Sequence, residues 1–316
     1  MERMKPIISL STSNLMRRID GSMSDILHKV AELGFEYVEL GHSIPIHARD
    51  DIFNCLEKNI IKISSCHNFC PLPPFAKGPS PNLFSPSTSS AIESSSWIMH
   101  TKNSINFANA VNAKALVCHC GSLTHFFKAL DTEILKFYES HTTEDLVDNL
   151  PFELVKKPFL KKSAKKALKQ YSYLKKNLEK ISELITEKNI KIGIENREGV
   201  SEIPLDWNME ELLKMTSDLD FVYAWLDTGH IMRKKLMHLS NIEEYAEKIS
   251  SRLLGWHIQD CDANGRDHIA LGKGIIDFKK LSKYFDAKKH IFVLELNHHV
   301  KDEEVKDSLK RLQDLL

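Results

Sequence analysis

Eight short, near-continuous apolar runs recur along this chain with amphipathic stretches between them, and that alternation narrows the fold more than any other feature. The runs are Ile7–Ser11, Tyr37–Leu40, Ile61–Ser65, Ala115–Cys118, Ile192–Ile194, Val222–Leu226, Leu253–Ile258 and Ile291–Leu296. Strands apolar throughout, rather than at every second residue, are covered on both faces, as in parallel sheets. Between them, Ser24–Leu33, Ala48–Lys58, Trp97–Val111, Ala164–Lys188, Met209–Met215, Ile242–Ile249, Phe278–Phe285 and Glu303–Leu316 repeat apolar residues at helical spacing. Strict βα order predicts an α/β fold closed as a (β/α)8 TIM barrel rather than an open sheet. No repeat or linker divides the 316 residues, so 1–316 is expected to be one domain.

Acidic and imidazole side chains sit at or just past the ends of these runs. Glu195, Asp227, His257 and Glu295 close the fifth to eighth strands; His67 and His119 close the third and fourth. Barrels place their active sites at the C-terminal ends of the strands. Carboxylates with an imidazole suit zinc, manganese, cobalt or magnesium. Glu195, Asp227, His257 and Glu295 are therefore expected to hold one divalent ion. His67 and His119 are candidates for a second, and the count of one, two or three ions stays open. His230 lies in Asp227-Thr-Gly-His230, a turn that can bring a carboxylate and an imidazole together. His268 precedes a glycine-containing turn. Both, with Arg197, are read as substrate contacts; His230 and His268 are also possible ligands, and Arg197 could instead form an outward structural ion pair.

Composition limits the alternatives. Lys+Arg and Asp+Glu balance at 43 each, so the chain lacks the basic field of a nucleic-acid binder. No apolar run approaches the roughly 18 residues that span a bilayer, and a cytoplasmic protein is expected. None of the six cysteines forms a CxxC pair. Cys118 and Cys120 flank His119, but strand neighbours point to opposite faces and cannot all meet one ion. Reduced thiols are the expectation. The lysines Lys161, Lys162, Lys165, Lys166, Lys175 and Lys176 read as a solvated helix face.

The long connections Asn68–Ser96 and Gly121–Ser163 leave the rim beside His67 and His119. Connections of this length commonly serve as lids, and Phe69, Pro71, Pro73, Pro74, Phe75 and Phe84 would give the first an apolar underside. No glycine-rich phosphate cradle is present, which favours a non-phosphorylated substrate.

The motifs His119-Cys-Gly-Ser, Ile194-Glu195-Asn196, Leu226-Asp227-Thr-Gly-His230, Trp256-His257-Ile-Gln-Asp260 and His268-Ile-Ala-Leu-Gly-Lys-Gly274 make the whole chain resemble the xylose isomerase-like TIM barrels. These include sugar isomerases, ketose 3-epimerases, inosose dehydratases and endonuclease IV. The resemblance implies metal at Glu195, Asp227, His257 and Glu295, with Glu195 and Glu295 as the catalytic acid and base. It implies a metal-dependent isomerase or epimerase of a small sugar, keto-sugar or polyol, working through an enediolate. Two alternatives are a sugar or polyol dehydratase and a multi-zinc phosphodiesterase of the endonuclease IV type. For the latter, Arg266 stands where that pattern has an aspartate, and the adjacent Asp267 is expected to face elsewhere. The expected partner is a small sugar-like molecule, with neither membrane nor nucleic acid; a homo-oligomer stays open.

Overall fold

A computed structural model gives the fold of residues 5–76, 78, 81–123 and 128–316, apart from the side chains of 128–130. Eight parallel strands close in sequence order into a barrel. They are β1 (Ile7–Ser11), β2 (Tyr37–Leu40), β3 (Lys62–His67), β4 (Ala115–Cys118), β5 (Lys191–Glu195), β6 (Val222–Asp227), β7 (Leu253–Ile258) and β8 (Ile291–Leu294). β8 returns to β1 with Ile7 opposite Ile291, which seals the cylinder. Three strands extend past their apolar runs, so that β3, β5 and β6 include His67, Glu195 and Asp227 themselves, whereas β8 ends at Leu294, two residues short of the expected run, and Glu295 follows it directly. His67, Glu195 and Asp227 remain in the hydrogen-bonded ladder, so their positions are fixed by backbone.

The outer layer comprises α1 (Met23–Glu32), α2 (Arg49–Glu57), α3 (Ala91–Ala110), α4 (Lys128–Ser140), α5 (Leu150–Glu179), α6 (Ser182–Glu187), α7 (Met209–Met215), α8 (Thr228–Leu236), α9 (Ile242–Ile249), α10 (Phe278–Leu281) and α11 (Asp302–Leu315). The segment expected as one helix over 164–188 is two, and α5 begins at Leu150. Asn149 starts it by accepting from Phe152 N at 2.9 Å, with Pro151 in the first turn where its missing N–H costs nothing.

The barrel interior holds its own small apolar cluster, with Ala115, Val117, Trp225, Leu254, Ile291 and Val293. Trp225 fills the centre because β5 and β7 each present a glycine to it. A Cβ on Gly193 or Gly255 would come within 2.7 or 2.4 Å of the Trp225 ring. The indole stands edge-on to the His257 imidazole at 5.3 Å between centroids and forms the floor of the site above.

No described helix is long and apolar enough to cross a membrane.

Candidate functional site

Glu195, Asp227, His257 and Glu295 meet above Trp225. One donor atom from each lies within 4.8 Å of the other three. The carboxylates converge on His257 Nδ1, with Glu195 Oε1 and Glu295 Oε2 each at 3.0 Å and Asp227 Oδ2 at 3.9 Å. All four side chains are buried. Burial alone would lower the His257 pKa, but Glu295, Glu39 and Glu195 outweigh it and hold the imidazole well above its ordinary value. Burial, then Glu195 and Glu295, push the Asp227 carboxyl up to about 8. Buried carboxylates this close need positive charge beside them.

Glu195 is the centre of two groups. Its Oε1 faces His257, and its Oε2 lies 2.9 Å from His119 Nε2 and 3.4 Å from His67 Nε2. His67, His119 and Glu195 offer a second set of donors within 4.8 Å. His119 Nε2 lies close to the carboxylate yet lacks hydrogen-bond geometry to it. Two buried donor atoms side by side but not directed at each other is the arrangement a shared cation requires. The donor set therefore fits divalent metal. Burial and Arg197 lower the His119 and His230 pKa values well below the ordinary range, which keeps both imidazoles in the neutral form that ligates.

Asp227 carries two duties. Its Oδ1 caps α8 by accepting from His230 N at 2.8 Å, and its Oδ2 accepts from Gln259 Nε2 at 2.6 Å. The first turn of α8 thereby carries His230 into a third donor group with Asp227 and His268. His268 adopts a left-handed backbone conformation, φ 57°. Its N–H donates to Gln259 Oε1, and its carbonyl accepts from Asn297 N at 2.7 Å. The loop bearing it is gathered by Asp260, whose carboxylate accepts from the N–H groups of Cys261, Gly272, Gly274 and Ile276 at 2.9–3.1 Å.

Arg197 turns inward. Its guanidinium lies 3.0 Å from Glu195 Oε2 and 3.6 Å from Glu202, on the wall of a cavity of about 750 Å3 that also exposes Glu195, Glu295, His230 and His268. The ion pair is therefore an inward one, on the cavity wall, and not the outward structural pair that was the alternative.

Asp267 faces the site, contrary to expectation. Its Oδ1 lies 3.1 Å from His268 Nδ1, and it joins Glu198 and His230 in a further donor group. Arg266 points to solvent and pairs with Asp262 at 3.0 Å. A one-residue offset does not settle the direction here, because the segment is an irregular loop and His268 has positive φ.

The first long connection differs from the expected lid. Residues 77, 79 and 80 lie outside those described. Of the rest, Phe75 and Phe84 pack on His100 of α3, at 5.4 and 5.5 Å, and Phe69 packs on Phe84 at 6.0 Å. The apolar residues thus anchor the loop outward, while Pro81 lines the cavity and Asn82 Oδ1 lies 3.0 Å from His119 Nδ1. In the second connection, Leu123 N donates to Ser201 O at 2.8 Å and joins the loop after β5, and residues 124–127 lie outside those described.

Sequence reasoning missed Glu39. Buried at the third position of β2, it lies 3.1 Å from His257 Nε2 and accepts from Ser65 Oγ at 2.8 Å. An acid inside a run covered on both faces was the available signal. Gln259 and Asn82 carry no comparable mark.

The six cysteines are buried and free, and burial raises the Cys118 and Cys120 pKa values, so both thiols stay protonated.

Closed barrel and rim cluster together define a class, and the comparisons agree: the chain belongs to the xylose isomerase-like TIM barrel family, whose model matches residues 27–315. Solved structures with the same fold include a D-tagatose 3-epimerase-like protein (17% identity, 98% of this chain and 96% of that one, TM-score 0.67). D-psicose 3-epimerase from Clostridium cellulolyticum H10 is similar (13% identity, 98% and 99%, TM-score 0.66). So is 3-keto-D-glucoside 4-epimerase from E. coli (10% identity, 98% and 100%, TM-score 0.66). At these identities the likeness is one of fold. No curated protein matches the chain in sequence.

Proposed function

We propose that this protein is a metal-dependent isomerase or epimerase of a small sugar, keto-sugar or polyol. The observation that carries the reading is the convergence of Glu195, Asp227, His257 and Glu295 within 4.8 Å at the barrel rim. A divalent ion held there would supply Lewis acidity toward a carbonyl and its neighbouring hydroxyl. Glu195 and Glu295 are the acid and base. They rise from β5 and β8, with β6 and β7 between them, and reach His257 Nδ1 at equal distance from two sides. Moving a proton from one carbon face to the other needs two such groups flanking the substrate. One takes the proton α to the carbonyl, giving an enediolate, and its partner returns one.

Arg197, His230 and His268 hold substrate oxygens from the cavity wall. His67 and His119 complete the second donor group and position Glu195. The sugar epimerases among the structurally similar proteins support the sugar reading.

A second reading, phosphodiester hydrolysis over several ions, draws on one observation: four donor groups are chained together, each of Glu195, Asp227 and His230 belonging to two of them, and Asp267 belongs to the fourth. One experiment separates the two. Purified protein with its native metal is incubated in D2O with a panel of ketoses and polyols, and with a phosphodiester. Deuterium entering a carbon-bound position by NMR supports the isomerase. Phosphodiester hydrolysis with no sugar exchange, together with three ions per chain by elemental analysis, would defeat it.

A further inference from the structure

Most cations of the site are already committed. Arg197 lies against Glu195 and Glu202, His257 among carboxylates, and His268 against Asp267. Arg17 is different. It lines the same cavity, is exposed, and has no hydrogen-bonded or ion-paired partner among the described residues.

The next residue shows the contrast. Arg18 donates to Asn14 Oδ1 at 2.9 Å and Val300 O at 3.1 Å and pairs with Asp302. It fastens the loop after β1 to the loop after β8. Asn14 Nδ2 adds a bond to Asn297 O at 2.7 Å. The fastened loops present Arg17 and His298 to the cavity as one unit. His298 and His299 lie ring to ring at 3.9 Å. Burial, then His299 and Arg17, lower the His298 pKa, which keeps its imidazole neutral and leaves Arg17 as the charge beside it. No carboxylate pairs with any of them among the described residues. A guanidinium at a cavity edge without a counter-ion is free to pair with a bound anion, and the imidazole beside it can donate a hydrogen bond to the same group.

We propose that this edge is an oxyanion seat, that Arg17 determines substrate specificity there, and that the substrate is an anionic sugar derivative carrying a phosphate ester or a carboxylate. The proposal deepens the sugar reading and rests on it for the rest of the ligand. Its phosphate-ester arm would reverse the sequence expectation of a non-phosphorylated substrate, which looked for a glycine-rich backbone cradle. A guanidinium needs no such cradle, because its fork of N–H donors matches two oxygens of either anion.

The test is equilibrium titration of the full chain carrying its metal, using a neutral ketose, its terminal phosphate ester, the matching keto-uronate and inorganic phosphate. Wild type is compared with Arg17→Gln and Arg17→Lys. Wild type is expected to bind one of the charged sugars about tenfold or more tighter than the neutral ketose, the range of a charge-assisted hydrogen bond. The ratio should fall toward one in Arg17→Gln and largely recover in Arg17→Lys. Inorganic phosphate should weaken about tenfold in Arg17→Gln. The anion with the larger ratio identifies the group. A neutral ketose bound as tightly as both charged forms would overturn the seat. So would a ratio indifferent to Arg17→Gln, or no phosphate binding by wild type. Inorganic phosphate separates this from the sugar reading. Phosphate binding lost in Arg17→Gln with no sugar of any charge bound keeps the seat and removes the sugar. Turnover of a neutral ketose, indifferent to Arg17, does the reverse.

Discussion

Glu39 holds the far nitrogen of His257, at 3.1 Å from Nε2, while Nδ1 faces the carboxylate cluster. A carboxylate behind an imidazole fixes the tautomer and raises the basicity of the nitrogen turned toward a metal. Glu39→Gln is expected to lower metal affinity about 10- to 100-fold while the barrel stays folded. Competition with a chelating indicator measures the affinity, and circular dichroism the fold. An unchanged affinity would mean that Glu39 serves only to neutralise charge.

Glu195→Gln should abolish turnover without unfolding the protein. Glutamine keeps the shape but cannot act as a base and ligates poorly. Burial raises the Glu195 pKa, but Arg197, His257 and His119 more than compensate and hold the carboxyl well below its ordinary range. The residue is thus charged and costly to remove, so the comparison is made beside Glu195→Asp. Near-normal turnover in the glutamine variant would exclude Glu195 as acid or base.

Asp260→Ala removes the acceptor for four backbone N–H groups and should destabilise the protein by about 3 kcal/mol. Amide exchange should accelerate at Gly272, Gly274 and Ile276, and the His268 imidazole should lose its fixed place. Exchange rates like those of wild type would show that the loop is held by other contacts.

His290 gives a pH dependence away from the rim. Its Nδ1 accepts from Trp256 Nε1 and from Asp286 N, both at 3.1 Å, and burial pushes its pKa down to about 4. The unfolded chain then binds a proton near pH 6.5 that the folded chain refuses until about 4. Stability from this residue is present above pH 6.5 and lost as pH falls through that window, by at most about 3 kcal/mol. His290→Asn, which keeps an acceptor but cannot titrate, should flatten the pH dependence of urea unfolding between pH 6.5 and 4. Parallel curves for the two proteins would refute the assignment.

The strands were legible because burial on both faces leaves an apolar run with few alternatives, and the rim residues because they interrupt those runs at one end. Helix α8 was not. Its first turn is the buried Thr228-Gly229-His230, and Lys234 is buried in a 2.5 Å pair with Asp206, so no polar face repeats at helical spacing. Glu39 was legible in principle, as an acid inside a run covered on both faces, but it stands within its strand and not at the end where the other rim residues fall. The helix over 150–163 was obscured by Pro158 inside it and by its lysines. Asp267 was misplaced because a one-residue offset in an irregular loop does not fix which way a side chain faces.

Trp225 occupies the barrel between Gly193 and Gly255 and supports His257 from below. The same ring is therefore both the innermost packing element and the base on which the ligand set stands. A change that loosens the interior also tilts the imidazole, so folding strength and chemical competence cannot drift apart at this point. The indole is also an optical probe built into the floor: the part of the emission lost in Trp225→Phe, set against the three other tryptophans, should register whatever charge settles above it.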